Sequence, residues 1–336
     1  MVTMADVAKA AGVSTTTVSH VLNATRPVSE DTAARVKAAI EATGYSQNTI
    51  ARALAHGRTQ SLGLAISGLA NPYFTDVIAA VEEESAAAGH TLLLGDTHDD
   101  AQRELEIVRA LVERRVDGLL LAPAVGAEDY ALPYLAAQEL PVVLLDRFND
   151  DAPALDQVGS ENVEPTAQLV DHLAQCGHRR IGMVVGAERL STTVERTNGY
   201  RLGLARNGLP YDEALVAGGG SRRDDAAGAT DTLLGLPDPP TALISGNNAM
   251  TIGILQALKA RGLEVPRDLA LVAFDDFPWA DLFSPRLTVI AQPTEEIGRR
   301  AVGMLLERLD DPERAPRHLR LDATFVHRES CGCGGS

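Results

Sequence analysis

Two short helical segments joined by a tight turn lie near the N-terminus, and they constrain the possible folds of this chain more than any other feature. Thr3 and Asp6 have the spacing of a capping box, and Gly12 interrupts the apolar helical face that follows them. Ser14 is a favourable N-cap for a second helix, in which apolar residues recur at helical spacing as far as Asn23. This pattern predicts a helix-turn-helix.

The second helix of such a unit lies in the major groove of DNA, where the side chains of its first turns contact base edges. In this chain those positions carry Thr15, Thr16, Thr17, Ser19 and His20. Threonine offers a hydroxyl and a methyl group, and histidine can donate a hydrogen bond to guanine, so the chemistry suits base recognition. The alternative is a hydroxyl-rich surface helix within an ordinary helical domain.

A third helix, capped by Ser29 and ended by Gly44, completes a three-helix headpiece. The segments TMADVAKAAGVSTTTVSHVLN, RPVSEDT and ATGYSQNTIARAL closely resemble the DNA-binding region of the LacI/GalR family of bacterial transcription regulators. Within that family the headpiece is most similar to the purine-repressor type, which shares the string TTTVSH. The resemblance covers residues 3–56 and implies a DNA-binding headpiece at 1–46, followed by a hinge helix and linker at 47–60.

The resemblance also implies roles for individual residues in DNA binding. Thr15, Thr16 and His20 match the family's base contacts in the major groove. Residues 48–56 match its hinge helix, and Leu54 matches a leucine that enters the minor groove, where an apolar wedge unstacks a base step. The complete set of predicted DNA-binding residues is Thr15, Thr16, Thr17, Ser19, His20, Asn23, Arg26 and Leu54.

Charge is distributed unevenly along the chain. The 336 residues include 46 acidic and 30 basic side chains, a net charge of −16. Residues 1–60 hold six Lys or Arg and four Asp or Glu, which gives +2 and leaves −18 for the rest. Only the headpiece can therefore approach DNA phosphates at low cost, and we expect two copies to share the contact with DNA.

From Ser61 onward, short apolar strands alternate with amphipathic helices, which is typical of an α/β fold with a doubly wound parallel sheet. The alternation occurs twice, so two Rossmann-like subdomains with a cleft between them are predicted. The body also resembles periplasmic sugar-binding proteins, as other members of the family do. The predicted ranges are 61–160 plus 291–320 for the N-subdomain, 161–290 plus 321–330 for the C-subdomain and 331–336 for a tail. A single closing strand is predicted at residues 318–326.

Polar side chains follow several of the predicted strands, at the edge of the sheet where open α/β folds bind their ligands. Carboxylates and amides with a guanidinium suit vicinal hydroxyl groups, and an aromatic face can stack on a sugar ring. The candidate effector-binding residues are Tyr73, Phe74, Asp146, Thr192, Arg196, Asn247 and Asp275. The alternative is that polar residues at strand ends only cap helices and solvate loops.

The resemblance adds an expectation about the effector. Phe74 matches the family's aromatic effector contact. The positions that match polar contacts to effector hydroxyls in sugar-responsive members are Asp146, Arg196, Asn247 and Asp275. Leu190 and Ser221 replace an arginine and an aromatic residue that grip the purine in the purine-repressor type. A sugar, free or phosphorylated, is therefore the preferred effector of a repressor. A nucleobase or nucleoside effector is one alternative, and a solute-binding or sugar-handling protein of the same fold is another.

Enzymatic and metal-binding motifs give no competing prediction. A run of three glycines lacks the spacing of a dinucleotide-binding loop, and neither a nucleophile elbow nor a Walker A motif occurs, so we expect no catalytic residues and no cofactor. Cys331 and Cys333 are too close for a C-x-x-C zinc hook and Cys176 is isolated, so no metal site is predicted. A tail site that includes His318 and His327 is the alternative.

Localisation and assembly follow from features that the sequence lacks. It has no run of about 18 apolar residues and no basic segment leading into an apolar one at its start, so we expect a cytoplasmic protein without a membrane partner. No heptad-bearing extension precedes Ser336, so a homodimer is expected rather than a coiled-coil tetramer. A homodimer would place two reading helices on a pseudo-palindromic operator.

Overall fold

The chain divides into two units in the computed structural model, Met1–Thr59 and Gln60–Ser336. The structure describes residues 2–23, 26–45, 58–69 and 71–333. The predicted hinge helix at 48–56, with Leu54, lies outside the described residues. Within those residues, no helix combines the length and apolar character that crossing a membrane requires.

In its described part the first unit contains three helices, α1 (Met4–Ala11), α2 (Thr15–Asn23) and α3 (Glu30–Thr43). The predicted caps are present: Thr3 and Asp6 form a reciprocal capping box, and Ser29 accepts a hydrogen bond from the Thr32 amide. Gly12 ends α1 in the left-handed conformation, which glycine adopts without strain. Small apolar side chains fill the space between the helices: Val7, Ala8, Ala11, Val18, Val36 and Ala39.

The described part of the second unit contains two six-stranded sheets. The first has the order β11-β5-β4-β3-β1-β2, and all of its strands are parallel. Its strands are β1 (Ser61–Ile66), β2 (Thr91–Asp96), β3 (Gly118–Leu121), β4 (Val142–Leu145), β5 (Asp156–Ser160) and β11 (His318–Leu321).

The second sheet has the order β12-β10-β9-β8-β6-β7, in which only the edge strand β12 is antiparallel to its neighbour. Its strands are β6 (Ile181–Val185), β7 (Val216–Gly218), β8 (Ala242–Ser245), β9 (Ala270–Phe274), β10 (Thr288–Ala291) and β12 (Thr324–Val326). The two doubly wound sheets confirm the predicted α/β architecture. The predicted single strand at 318–326 is two strands, one in each sheet.

Helices cover both faces of each sheet. The helices are α4 (Pro72–Ala87), α5 (Ala101–Glu113), α6 (Ala131–Ala136), α7 (Val163–Gln175), α8 (Ser191–Arg206), α9 (Arg223–Leu234), α10 (Asn248–Ala260) and α11 (Thr294–Asp310). Helix α11 returns from the second sheet to pack with α4 on the first, where Ile297 and Leu305 join the buried core around Leu64. The chain therefore crosses between the sheets after β5, after β10 and between β11 and β12.

Candidate functional site

Helix α2 presents the predicted base-contact residues in different ways. Thr15 and Thr16 are exposed on its first turn, while Val18 is fully buried and fixes the helix against the headpiece core. Ser14 accepts a hydrogen bond from the Thr17 amide at 3.1 Å, and the Thr17 hydroxyl lies 2.9 Å from the Ser14 hydroxyl. Thr17 therefore takes part in the cap of the helix, and Thr15 and Thr16 are the side chains of this turn that remain open to solvent.

The other predicted DNA-binding positions are only partly described. Ser19 and His20 are half-buried on the second turn of α2, and Arg26 is exposed after it. Asn23 is the last residue of α2, but its side chain lies outside the described part of the structure. The described headpiece thus offers an exposed hydroxyl-bearing helical turn, and an exposed arginine follows the helix in the sequence, which suits a major-groove contact supported by phosphate binding.

In the second unit, a cavity of ≈ 630 Å³ lies at the carboxyl ends of the strands of both sheets. This volume falls in the range of small-molecule binding sites. The structure brings all seven predicted effector-binding residues to its wall: Tyr73, Phe74, Asp146, Thr192, Arg196, Asn247 and Asp275. Leu190 and Ser221, which the sequence comparison with the purine-repressor type singled out, also line it.

Two aspartates occupy equivalent positions in the two sheets. Asp146 directly follows β4 and Asp275 directly follows β9, and both have left-handed backbone conformations, with φ of 67° and 76°. Aspartate tolerates this region better than most residues, although it still costs about 1 kcal/mol. The tight turn places each carboxylate at the end of its strand, so one buried acid from each sheet faces the cavity.

Asp146 belongs to a hydrogen-bonded network in the first sheet. The Tyr73 hydroxyl donates to its carboxylate at 2.7 Å, and the Arg147 Nε lies 3.5 Å from the other carboxylate oxygen. At 3.5 Å this contact is an ion pair without hydrogen-bond geometry, so Arg147 Nε has no hydrogen-bond partner. The opposite end of the same guanidinium donates to Asp99 at 2.5 Å and to the Pro123 carbonyl at 3.0 Å.

Burial raises the pKa of the Asp146 carboxyl above its ordinary value, although Arg147 and the Tyr73 hydroxyl act in the opposite direction. Burial, together with the charge of Asp146, holds the pKa of Tyr73 well above its usual range. Tyr73 is therefore a permanent hydrogen-bond donor. The carboxylate has lost much of its hydration and gains from any further hydroxyl that donates to it.

Asp275 has a matching network in the second sheet. Its carboxylate accepts hydrogen bonds from the Gln292 side chain at 2.6 Å and from the Asn248 amide at 3.2 Å. Burial raises the pKa of Asp275, while the charge of Arg196 and these hydrogen bonds oppose the shift. Gln292 Oε1 and both polar side-chain atoms of Asn248 are buried without a hydrogen-bond partner. Such groups are costly unless a ligand or water satisfies them.

Arg196 is a buried cation of the cleft on the side of the second sheet. Its guanidinium lies 3.7 Å above the ring of Phe274, and it donates to the Asn162 side chain at 2.9 Å and to the Gly246 carbonyl at 2.5 Å. Asn247, which follows Gly246, caps α10 by accepting from the Met250 amide at 2.8 Å. The position of Arg196 is thus fixed by α7, β8 and β9 together.

Several residues of the cleft were not among the predicted set. Arg147 follows Asp146 in the sequence and could have been included on that ground. Gln292 follows β10, in a segment that the sequence pattern treats as a crossover. Additional lining residues come from the loop and first turn that precede and begin α9: Arg222, Arg223, Asp224 and Asp225. No local periodicity indicates that this turn faces the cavity.

Comparisons with known proteins agree with this architecture. The family model described as "Bacterial regulatory proteins, lacI family" matches residues 3–48, and a "Periplasmic binding protein-like domain" model matches residues 170–331. The chain is similar to "HTH-type transcriptional repressor PurR" of Pectobacterium carotovorum subsp. carotovorum (strain PC1). The two are 34% identical over 334 residues, which cover 99% of this chain and 98% of that protein.

Solved structures show the same similarity. A putative ribose operon repressor from Burkholderia thailandensis is 37% identical with a TM-score of 0.73, and the match covers 80% of this chain and 99% of that one. The lac repressor dimer bound to operator and the anti-inducer ONPF is 26% identical with a TM-score of 0.87, over 98% of this chain and 99% of that one.

Proposed function

This chain belongs to the lacI family of bacterial regulatory proteins and is a DNA-binding transcription repressor with an effector-binding domain, and we propose that its effector is a small sugar held in the cleft. The protein acts as a homodimer on operator DNA, as the similar lac repressor does in its operator complex. We place it in the cytoplasm, where that DNA lies, and we assign no reaction to the cleft. Thr15 and Thr16 are the proposed base-reading residues of each headpiece.

The observation that carries the proposal is the pair of buried aspartates, one from each sheet, that face a single cavity. Asp146 and Asp275 are strong acceptors for hydroxyl donors, and Arg196 can donate to hydroxyl or ring oxygens. Vicinal hydroxyl groups match such paired acceptors and donors better than the edge of a flat heterocycle does. Tyr73 and Phe74 supply aromatic surface for the apolar face of a sugar ring.

A nucleobase is the second candidate effector, because the similar protein of Pectobacterium carotovorum is named PurR. The lining of the cleft argues against it for this chain. Leu190 and Ser221 offer neither a guanidinium nor an aromatic face at the positions where purine-repressor members have them. The similar structure from Burkholderia thailandensis is described as "a putative ribose operon repressor", which agrees with a sugar.

The proposed mechanism follows from where the two carboxylates originate. A ligand held by Asp146 and Asp275 together bridges the two sheets, so it stabilises the closed arrangement of the cleft more than the open one. A ligand shifts a conformational equilibrium only by this difference in affinity. Operator binding then responds to the effector if the two arrangements of the cleft also differ in affinity for DNA, a coupling of about 1–3 kcal/mol.

Calorimetric titration of sugars, sugar phosphates and purine bases tests the assignment, with Asp275→Asn as the informative variant. Asparagine keeps the shape but loses the charge, so we expect a sugar to bind about 10- to 100-fold more weakly to the variant. The unliganded variant should be at least as stable as the native chain, because it no longer buries a charge with a raised pKa.

Asp129→Asn is the matched control, since it makes the same change at an exposed carboxylate that does not line the cavity. Its sugar affinity should equal that of the native chain. Tight binding of a purine base with no sugar bound, or a sugar affinity unchanged by Asp275→Asn, would contradict the sugar proposal.

A further inference from the structure

Four side chains with metal-binding atoms converge at the far end of the second sheet, away from the cleft residues. They are His172, His327, Cys331 and Cys333, and their ligand atoms all lie within 4.8 Å of one another. Both imidazoles direct Nε2 toward the sulfurs. His327 Nε2 lies 3.1 Å from Cys333 Sγ and 3.4 Å from Cys331 Sγ, and His172 Nε2 lies 3.4 Å from Cys333 Sγ.

The four ligands come from two separate segments. His172 lies near the end of α7, and the other three follow β12 in the last residues that the structure describes. His172 and Cys333 are 161 positions apart. From the sequence, His318 and His327 are the histidines of an alternative tail site. His318 lies on β11 in the first sheet and is not in this group. The second histidine of the group is instead His172, from α7.

The tail is held in position by its contacts with β9, β10 and the core of the second sheet. The Ser330 hydroxyl donates to the Leu271 carbonyl and accepts from the Thr288 amide at 2.8 Å, and Glu329 pairs with Arg286. Cys331 is buried in the same core as Leu173. The backbone therefore presents the sulfurs to His172 in a fixed geometry, which is the preorganisation that a metal site requires.

We propose that His172, His327, Cys331 and Cys333 form a structural zinc site that fastens the C-terminal tail to α7. Two thiolates and two imidazoles are a preferred donor set for Zn²⁺, which binds four such ligands tetrahedrally at about 2.0–2.3 Å. Bonds of that length place neighbouring ligand atoms about 3.3–3.8 Å apart, close to the separations that the histidine and cysteine atoms already show. A closed four-ligand set has no open position for substrate, so the role is structural.

Isolated thiols and a disulfide explain the arrangement less well. The Cys331 and Cys333 sulfurs are 2.9 Å apart, which is longer than a disulfide bond of about 2.05 Å, and both cysteines are free. A disulfide would also leave the convergence of two imidazoles unexplained. The Phe325 ring stacks on the His327 ring with centroids 6.3 Å apart, and its centroid lies 5.1 Å from that of His172. Phe325 therefore packs against both imidazoles on one side of the site.

The zinc site would stabilise the subdomain built on the second sheet, which contributes Arg196 and Asp275 to the effector cleft. Helix α7 follows Asn162, whose side chain accepts from Arg196, and its other end carries His172. A metal that joins this helix to the tail contributes binding free energy to folding. The proposal does not depend on which effector or operator the protein recognises.

Metal analysis of the untagged chain, purified with a thiol reductant, tests the proposal directly. We expect about one zinc ion per chain, and a Co²⁺-substituted sample should show sulfur-to-cobalt charge transfer and the visible bands of a tetrahedral site. Cys333→Ser and His327→Gln should lose most of the bound zinc and should change this spectrum. Both positions are exposed, so circular dichroism should show native secondary structure in both variants.

Cys176→Ser is the matched control, because Cys176 lies next to α7 with its sulfur 3.7 Å from His172 Nε2 but outside the group of four. This variant should keep its zinc and its cobalt spectrum. Absence of zinc from the reduced native chain, a cobalt spectrum unaltered by Cys333→Ser, or a Cys331–Cys333 disulfide in the purified protein would overturn the proposal. Loss of zinc from Cys176→Ser would overturn the assignment of the four ligands.

Discussion

Glu104 on α5 is a buried acid, and its one hydrogen bond does not offset the loss of hydration of its charge. One carboxylate oxygen accepts from the Ala124 amide at 2.6 Å, while the other is buried without a hydrogen-bond partner. Burial raises the pKa of Glu104 from 4.5 to about 7, although the hydrogen bond from Ala124 and the charge of Arg147 act against the shift. The Glu104 carboxyl group therefore gains or loses its proton near neutral pH, although it is buried beneath α5 in the first subdomain.

The raised pKa makes stability depend on pH in a definite direction. The folded chain binds this proton more tightly than the unfolded chain, so the free energy of unfolding falls as pH rises from about 4.5 to about 7. Glu104→Gln removes the charge and keeps an acceptor for the Ala124 amide. We expect this variant to gain about 2 kcal/mol relative to the native chain at pH 8 and little at pH 5.

Urea denaturation of both proteins at the two pH values measures this difference. Asp146 and Asp275 also have raised pKa values, but they contribute equally to both proteins and cancel in the comparison. An equal stability difference at pH 5 and pH 8 would mean that Glu104 does not titrate in this range.

At the scale of single residues, the sequence predicts which residues lie at the cleft better than it predicts which side chains they contact. Asp146, Asn247 and Asp275 were identifiable because a parallel sheet places the residue after each strand at one edge. Which side chain they contact depends on loops from other parts of the fold. The pairing of Arg147 with Asp99 spans 48 positions, and no local pattern encodes it.

Helices α7 and α8 pack closely, and two glycines of α8 make this possible. A Cβ atom at Gly199 would lie 2.2 Å from the Val163 carbonyl oxygen, and one at Gly203 would lie 2.5 Å from Val170 Cβ. Backbone atoms cannot move aside as a flexible side chain can. Since α8 also carries Thr192 and Arg196, the spacing of these two helices positions the cleft residues.

Gly199→Ala should therefore push α8 away from α7. We expect a loss of about 1–3 kcal/mol in the free energy of unfolding, as for other overpacked sites, and weaker effector binding because Arg196 moves with the helix. Gly228→Ala on α9 is the control, since that glycine is exposed and a Cβ there meets no atom within 4 Å. The control should gain up to about 1 kcal/mol from helix propensity.

Chemical denaturation and effector titration of both alanine variants provide the two readouts. Equal stability changes in Gly199→Ala and Gly228→Ala would show that the close approach of α7 and α8 does not limit the size of the residue at position 199.

At the scale of elements, local sequence signals predicted where helices begin, but they did not predict which strands pair with one another. The caps at Thr3, Ser14 and Ser29 are formed as predicted, because each depends on residues within one helical turn. The predicted strand at 318–326 is instead β11 and β12, separated by two residues. Both halves have strand character, but each pairs with a different sheet, and β-propensity contains no information about the partner strand.

For the whole molecule, composition and periodicity were sufficient for the class of fold and for the division of charge. The alternation of strands and helices predicts two doubly wound sheets, and the structure contains them. The convergence of His172 with Cys331 and Cys333 could not be predicted, because metal-ligand motifs are recognised by short spacings and this group joins segments far apart in the chain.

The proposed sugar and the operator bind to one protein, so thermodynamic linkage requires a reciprocal relation between their affinities. If the sugar changes the operator dissociation constant by some factor, the operator must change the dissociation constant of the sugar by the same factor. We expect this factor to lie between about 5 and 150. Asp275→Asn should weaken the hydrogen bonding of the proposed sugar to the second sheet, so it should reduce this factor while operator affinity without sugar stays the same.

Fluorescence anisotropy of a labelled pseudo-palindromic operator, titrated at several sugar concentrations, gives the first factor. Sugar titration with and without saturating operator gives the second. A factor of one in both titrations would mean that the cleft ligand binds equally well to the DNA-bound and free protein. Such a ligand shifts no population however tightly it binds, and the control of DNA binding would then have to originate elsewhere than in Asp146 and Asp275.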